Sequence, residues 1–162
     1  MGRYLAGLSA PKDSSVLQRL FSALGDRYSS QPLTSAGLVI NAGGALIAKT
    51  GAAAFYAVAQ GVLVTIGAGT AMPALTGINF TSGQYTVACF FVDSGGTVTV
   101  AGGTPGATLG AVKFPQFPVG KALVGFLIIT YASAFTGGTT PLDTATTVYV
   151  SPLGPFDPTV LL

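Results

Sequence analysis

Phe90-Phe91-Val92-Asp93-Ser94-Gly95-Gly96-Thr97-Val98-Thr99-Val100 decides the fold class. Two runs of aromatic and β-branched residues, which suit a pleated and half-buried surface, flank four residues suited to reversing the chain. Asp93-Ser94-Gly95-Gly96 supplies the positive φ angles that a short reversal demands. The stretch is a β-hairpin. Outward from it, period-two patterns and continuous β-branched runs place further strands at 37–41, 45–49, 54–59, 62–66, 85–93, 97–101, 108–114, 122–131 and 146–151. Gly43-Gly44 and Gln60-Gly61 mark two more tight turns. Pro105, Pro115 and Pro118 turn the region around Lys113-Phe114 into an edge or a loop. Many short strands at this spacing predict a mainly β chain, an antiparallel β-sandwich or jelly-roll-like barrel.

The flanks differ from this core. Six of the charged residues, Arg3, Lys12, Asp13, Arg19, Asp26 and Arg27, fall in the first 30 positions. There Asp13, Ser14 or Ser15 can cap a helix. Val16, Leu17, Leu20, Phe21 and Leu24 follow at spacings that share one face, and Gly25 is a stop signal. The pattern predicts a short amphipathic helix over 13–25, then a linker over 28–35. Its stripe either packs on the chain's own core or docks on a neighbouring subunit. The tail after residue 150 holds Pro152, Pro155 and Pro158, which exclude a helix or a central strand. Phe156, Val160, Leu161 and Leu162 make it too apolar to hang free, so it is an extended arm along its own domain or toward a neighbour. The division is 1–35 as an N-terminal arm with a short helix, 36–150 as the β domain and 151–162 as a proline-rich C-terminal arm.

Composition narrows the function. Of 162 residues only 7% are charged, against roughly 25% in an average soluble domain. Hydrophobic residues make up 49%, 23 positions are Gly, and there is no Glu, His or Trp. A lone monomer keeps a charged surface to stay dispersed, and this chain has little to make one from. That points to a surface covered by copies of itself or by another protein. Mean hydropathy is +0.64, yet the best apolar run, 122–131, is half of the roughly 20 residues a membrane-spanning helix needs. The start, Met1-Gly2-Arg3-Tyr4-Leu5-Ala6-Gly7-Leu8, is too short and too soon interrupted by Lys12 and Asp13 for a secretory signal.

The same scarcity removes most catalytic side chains. Without His there is no Ser-His-Asp or Cys-His site, and with a single Cys89 in an apolar run the usual zinc ligands are missing. The five acids are all Asp, scattered from Asp13 to Asp157 in turns and caps, with no clustering that suits paired catalysis or calcium. A Ser–Lys dyad needs neither, and Lys49 and Lys121 lie beside predicted strands. Ala101-Gly102-Gly103-Thr104-Pro105-Gly106-Ala107-Thr108 lacks the ending of a phosphate loop and is a wide turn. A net charge of +2 and the sparse set Arg3, Lys12, Arg19 and Arg27 predict no specific nucleic-acid partner. The expectation is a non-enzymatic building block that needs no cofactor and no membrane.

Several strings carry a family resemblance: Val39-Ile40-Asn41-Ala42-Gly43-Gly44, Lys49-Thr50-Gly51-Ala52-Ala53-Ala54-Phe55-Tyr56-Ala57-Val58, Phe90-Phe91-Val92-Asp93-Ser94-Gly95-Gly96-Thr97, Gly137-Gly138-Thr139-Thr140-Pro141-Leu142-Asp143 and Gly154-Pro155-Phe156-Asp157-Pro158-Thr159. With them residues 40–162 resemble small virion proteins of tailed bacteriophages. The resemblance implies a structural part of the particle, a capsid decoration or cement protein on the capsid surface. The expected partners are the chain itself, as a homotrimer, and the major capsid protein. The interface residues expected are Val16, Leu17, Leu20, Phe21 and Leu24 in the helix and Phe156, Val160, Leu161 and Leu162 in the tail. The alternatives are a tail or fibre component, or a carbohydrate-binding adhesion module using Tyr56, Tyr85, Tyr131 and Tyr149.

Overall fold

In the computed structural model, which describes residues 11–155 except for the side chains of 11–14, 23, 26 and 27, a helix precedes a series of short strands. The helix α1 is Pro11–Ser29. The strands are β1 Gln31–Pro32, β2 Val39–Ile40, β3 Ala48–Lys49, β4 Phe55–Ala59, β5 Val62–Ile66, β6 Asn79–Phe80, β7 Tyr85–Val92, β8 Val98–Gly102, β9 Ala122–Thr130, β10 Phe135–Thr136 and β11 Thr146–Val150. A 3-10 turn, η1, covers Leu109–Ala111.

The hairpin forms as its sequence dictates. In β7 and β8, Phe90 faces Val100 and Val92 faces Val98. The turn is held by Asp93, whose Oδ1 accepts the N–H groups of Gly95 at 3.0 Å and Thr97 at 2.9 Å. Gly96 carries the positive φ, 82°, that a residue with a Cβ adopts only at a cost.

Two antiparallel sheets are layered. One has the order β11-β9-β7-β8 and the other β1-β4-β5. Their facing sides form the main core, with Phe55, Ala57, Val64 and Ile66 from the smaller sheet against Ala88, Phe90, Val92, Val124, Leu127 and Ile129 from the larger. Two small pairs, β2-β3 and β6-β10, add Ala48, Phe80 and Phe135 to the main core, the second with Phe80 and Phe135 stacked at 5.0 Å. The fold is a sandwich of two sheets, the first of the two architectures the strand pattern allowed.

The larger sheet is covered on its other side too. Val87, Cys89, Phe91, Leu123 and Phe126 form a second core with Val112, Phe114 and Phe117. Phe114 meets Phe126 edge-on at 5.2 Å, and Phe91 meets Phe117 at 5.1 Å. The proline-broken region is therefore a lid of irregular chain whose aromatic side chains point down onto the sheet. This explains why β7 and β9 are continuous apolar runs: both of their faces are buried.

Strand β9 reconciles the two cores with a bulge. Phe90 pairs with Gly125 and Phe91 with Leu123, leaving Val124 between them. Inward residues are Ala122 and Val124 before the bulge, then Leu127 and Ile129 after it, so the extra residue shifts the parity of the strand. Gly125 sits at the shift. A Cβ there would lie 2.6 Å from Leu38 Cδ1 and 2.6 Å from the Val150 carbonyl oxygen.

Several boundaries differ from the sequence expectation. The helix runs past Gly25 to Ser29, since an exposed mid-helix Gly costs only about 1 kcal/mol and does not by itself stop a helix. Residues 31–32, expected in a linker, pair with β4. The strand expected over 108–114 is the η1 turn with irregular chain on either side. Its alternation comes from Val112 and Phe114 packing downward, with only an isolated Thr104–Lys113 bridge in place of a ladder.

Candidate interaction surface

The first segment folds as the amphipathic helix its spacing predicts, but its apolar side is uncovered. Val16, Leu20, Phe21, Leu24 and Tyr28 are 63, 52, 68, 42 and 65% exposed. Leu17 is half-buried. Among the described residues none of these side chains belongs to either core. Of the two readings of the stripe, packing on the chain's own core is thus not what the structure has.

The helix is tied to the sandwich at its C-terminal end. The Gly61 N–H donates to the Ser29 carbonyl at 2.9 Å, and the Gln60 N–H donates to Ser30 Oγ at 3.1 Å. Gln60 and Gly61 form the turn between β4 and β5, both with positive φ, 53° and 76°, as a two-residue hairpin turn requires. The chain then passes through β1, after which the Leu33 and Thr34 N–H groups both donate to the Tyr56 carbonyl. The first segment is therefore anchored on one hairpin while its apolar stripe remains open.

The tail begins against the chain that follows the helix. Ser151 Oγ accepts the Leu38 N–H at 3.0 Å, and the Gly154 N–H donates to the Pro32 carbonyl at 3.1 Å. Phe156, Val160, Leu161 and Leu162, the expected contact residues of the arm, lie outside the described residues.

The outer face of the three-stranded sheet is a second open apolar surface. Tyr56, Val58 and Leu63 share it, since Tyr56 and Val58 alternate with the inward Phe55, Ala57 and Ala59, and Leu63 is paired with Val58. Leu63 is 63% exposed. This face was not singled out in the sequence. Its signal is present in the alternation along 54–59, where every second residue would be polar if it met only water.

The polar groups serve the backbone. Asp93 holds its turn, and Asp143 Oδ2 accepts the Gly44 N–H at 2.6 Å. Lys121 Nζ donates to Thr99 Oγ1 at 3.1 Å, so its partner is a threonine hydroxyl and no serine. Burial pushes the Cys89 thiol far above its ordinary range, which keeps it neutral and unreactive. Burial and then the negative charge of Asp143 raise the Tyr149 phenol. Among the described residues no three His, Cys, Asp or Glu side chains converge as a metal site, and no helix is long and apolar enough to cross a membrane. The four tyrosines considered for a sugar platform are divided: Tyr131 and Tyr149 pack on the main core, Tyr85 on the second, and Tyr56 stands on the outer sheet face.

What the arrangement offers is contact surface. Comparison with protein-family models, with curated proteins and with solved structures finds no match to this chain.

Proposed function

We propose that this chain is a structural subunit of a tailed-bacteriophage particle, a capsid decoration or cement protein that self-associates and binds the outer surface of the shell built by the major capsid protein. The observation that carries the reading is the open apolar stripe of α1 on a sandwich whose own cores are closed. An apolar face of that kind on a chain with 7% charged residues favours burial against protein over exposure to water. The short strings shared in style with phage virion proteins support the setting.

The mechanism in this reading is mechanical. Subunits bury apolar surface at junctions between capsid subunits, and each interface of standard size covers on the order of 1,600 Å². Repetition over a shell then resists internal DNA pressure. Binding to the assembled shell and not to free subunits raises the shell's stability by linkage. Particles that lack this chain should release DNA at a lower temperature than complete ones. Identical release profiles would remove the cement role and leave a tail or fibre position, which cryo-EM density would then locate.

A further inference from the structure

We propose that the free edge of β5 is a strand-pairing site for a second copy of this chain: two β5 strands lie antiparallel across a twofold axis and join two three-stranded sheets into one. The inference rests on the self-association proposed above and names a surface for it on the sandwich itself. It sets a twofold contact, which does not depend on the threefold symmetry expected from the resemblance.

The turn before β5 fixes which way its backbone groups point. Gln60 and Gly61 form a two-residue turn, so Ala59 and Val62 are the hydrogen-bonded pair that closes it. Alternation then makes Ala57–Val64 and Phe55–Ile66 hydrogen-bonded pairs, while Val58–Leu63 and Tyr56–Thr65 are not. The other side of β4 agrees, because the Tyr56 carbonyl is already taken by the Leu33 and Thr34 N–H groups. The N–H and C=O groups of Leu63 and Thr65 therefore point away from β4, off the side of the sheet. The order β1-β4-β5 leaves that side open. Among the described residues no hydrogen bond reaches these four groups.

Natural sheets guard a free edge with Lys, Pro, a bulge or a covering segment. The opposite edge of this sheet is guarded. At β1, Pro32 has no N–H and its carbonyl accepts the Gly154 N–H. Strand β5 has no such guard. Val62-Leu63-Val64-Thr65-Ile66 contains no charge and no proline, its register with β4 has no shift, and Val62, Leu63 and Thr65 are exposed.

This edge is its own complement, which is what selects a second copy as the partner. A twofold axis through Val64 sets Leu63 of one copy against Thr65 of the other, on both sides of the axis. Each facing pair exchanges two N–H···O=C bonds, so every outward group of both strands is used. On the outer face, the Tyr56–Thr65 and Val58–Leu63 pairs of the two copies then form continuous rows. No charged side chain lies in β5 or its turn, so two copies meet without like-charge repulsion.

The test uses the full chain and two readouts. Sedimentation equilibrium at micromolar and higher concentration should give an even multiple of the single-chain mass of 16.1 kDa. Thr65→Pro removes an outward N–H from each copy and leaves the ladder with β4 in place. Two hydrogen bonds per pair are lost, so pairing should weaken roughly 10- to 100-fold and the sedimented mass should halve. Thr65→Val keeps the N–H and should still pair. Leu63→Lys puts a guarding charge on the edge and should also halve the mass, with the thermal midpoint of the sandwich retained; it serves where Thr65→Pro fails to fold. Independently, the Leu63 and Thr65 amides should exchange slowly in the intact chain and fast in Leu63→Lys, while those of Val62 and Val64 stay slow in both. A mass that Leu63→Lys leaves unchanged, an odd multiple above one, or fast exchange at Leu63 and Thr65 in the intact oligomer overturns the β5 pairing and leaves self-association to another surface. A single-copy mass for the intact chain overturns self-association itself.

Discussion

The helix and the sandwich treat apolar residues in opposite ways. In β7 and β9 nearly every side chain is buried, on both faces of the sheet. In α1 the apolar side chains stand open, and hydrogen bonds tie its C-terminal end to the sandwich. Both segments have the pattern of an amphipathic or buried element. The difference is what supplies the other half of the contact. The sandwich completes itself through its second sheet and its aromatic lid. The helix leaves its apolar stripe open, and in the proposed reading another molecule covers it. A region that finishes its own core carries fold stability, and the proposal assigns association to one that does not.

Substitutions should separate these two roles. Phe90 fills the main core between the sheets, and Phe90→Ala should cost about 3–5 kcal/mol, read as a lower denaturant midpoint. A loss under 1 kcal/mol would mean the sandwich core is looser than its burial implies. Gly125→Ala should cost about 1–3 kcal/mol by overpacking, because its Cβ meets Leu38 and the Val150 carbonyl at the bulge. A neutral effect would show that the bulge can relax.

Alkali should weaken the sandwich. The folded Cys89 thiol stays protonated where the unfolded one ionises, so above roughly pH 8.5 the unfolded state binds fewer protons and stability falls as pH rises. The loss should reach about 2 kcal/mol near pH 10, with Tyr149 adding to it at still higher pH. Cys89→Ala should flatten the first part of that decline in urea titrations at successive pH values.

Thr86 offers a test in the stabilising direction. Its hydroxyl is fully buried with no hydrogen-bond partner, so Thr86→Val should raise stability by about 1 kcal/mol. Destabilisation would imply a partner for the hydroxyl inside the core. On the helix, Phe21→Ser should change the unfolding free energy of the dissociated chain by no more than about 0.5 kcal/mol. A core-sized loss there would erase the distinction between the two regions.

Much of this contrast was legible in residue order. The hairpin turn, the strand at 62–66 and the long runs of β7 and β9 are set by local chemistry: β-branched and aromatic residues bounded by Asp and Gly. The amphipathic helix was legible for the same reason. Pairs as short as Gln31–Pro32, Asn79–Phe80 and Phe135–Thr136 contain no period to detect, and they form only because a longer strand or the opposite end of the fold is already in place. The segment 108–114 misled because an alternating pattern records which side chains meet apolar surface, whichever backbone delivers them. Periodicity likewise revealed which residues of α1 share a face. Whether that face meets the chain's own core depends on the direction in which the helix leaves the Gln60-Gly61 turn, which is a tertiary property. The outer face with Tyr56 and Leu63 was overlooked because a sheet with both faces apolar resembles a central one.

Hydrogen exchange on the intact chain over a range of concentrations tests the central claim most directly. The amides of β7 and β9 should be strongly protected at every concentration, because the sandwich closes its own cores. Those of α1 should be protected only at concentrations where the chain sediments as an oligomer, and should exchange freely on dilution. Protection of α1 that is independent of concentration, or protection of β7 and β9 that disappears on dilution, would contradict it.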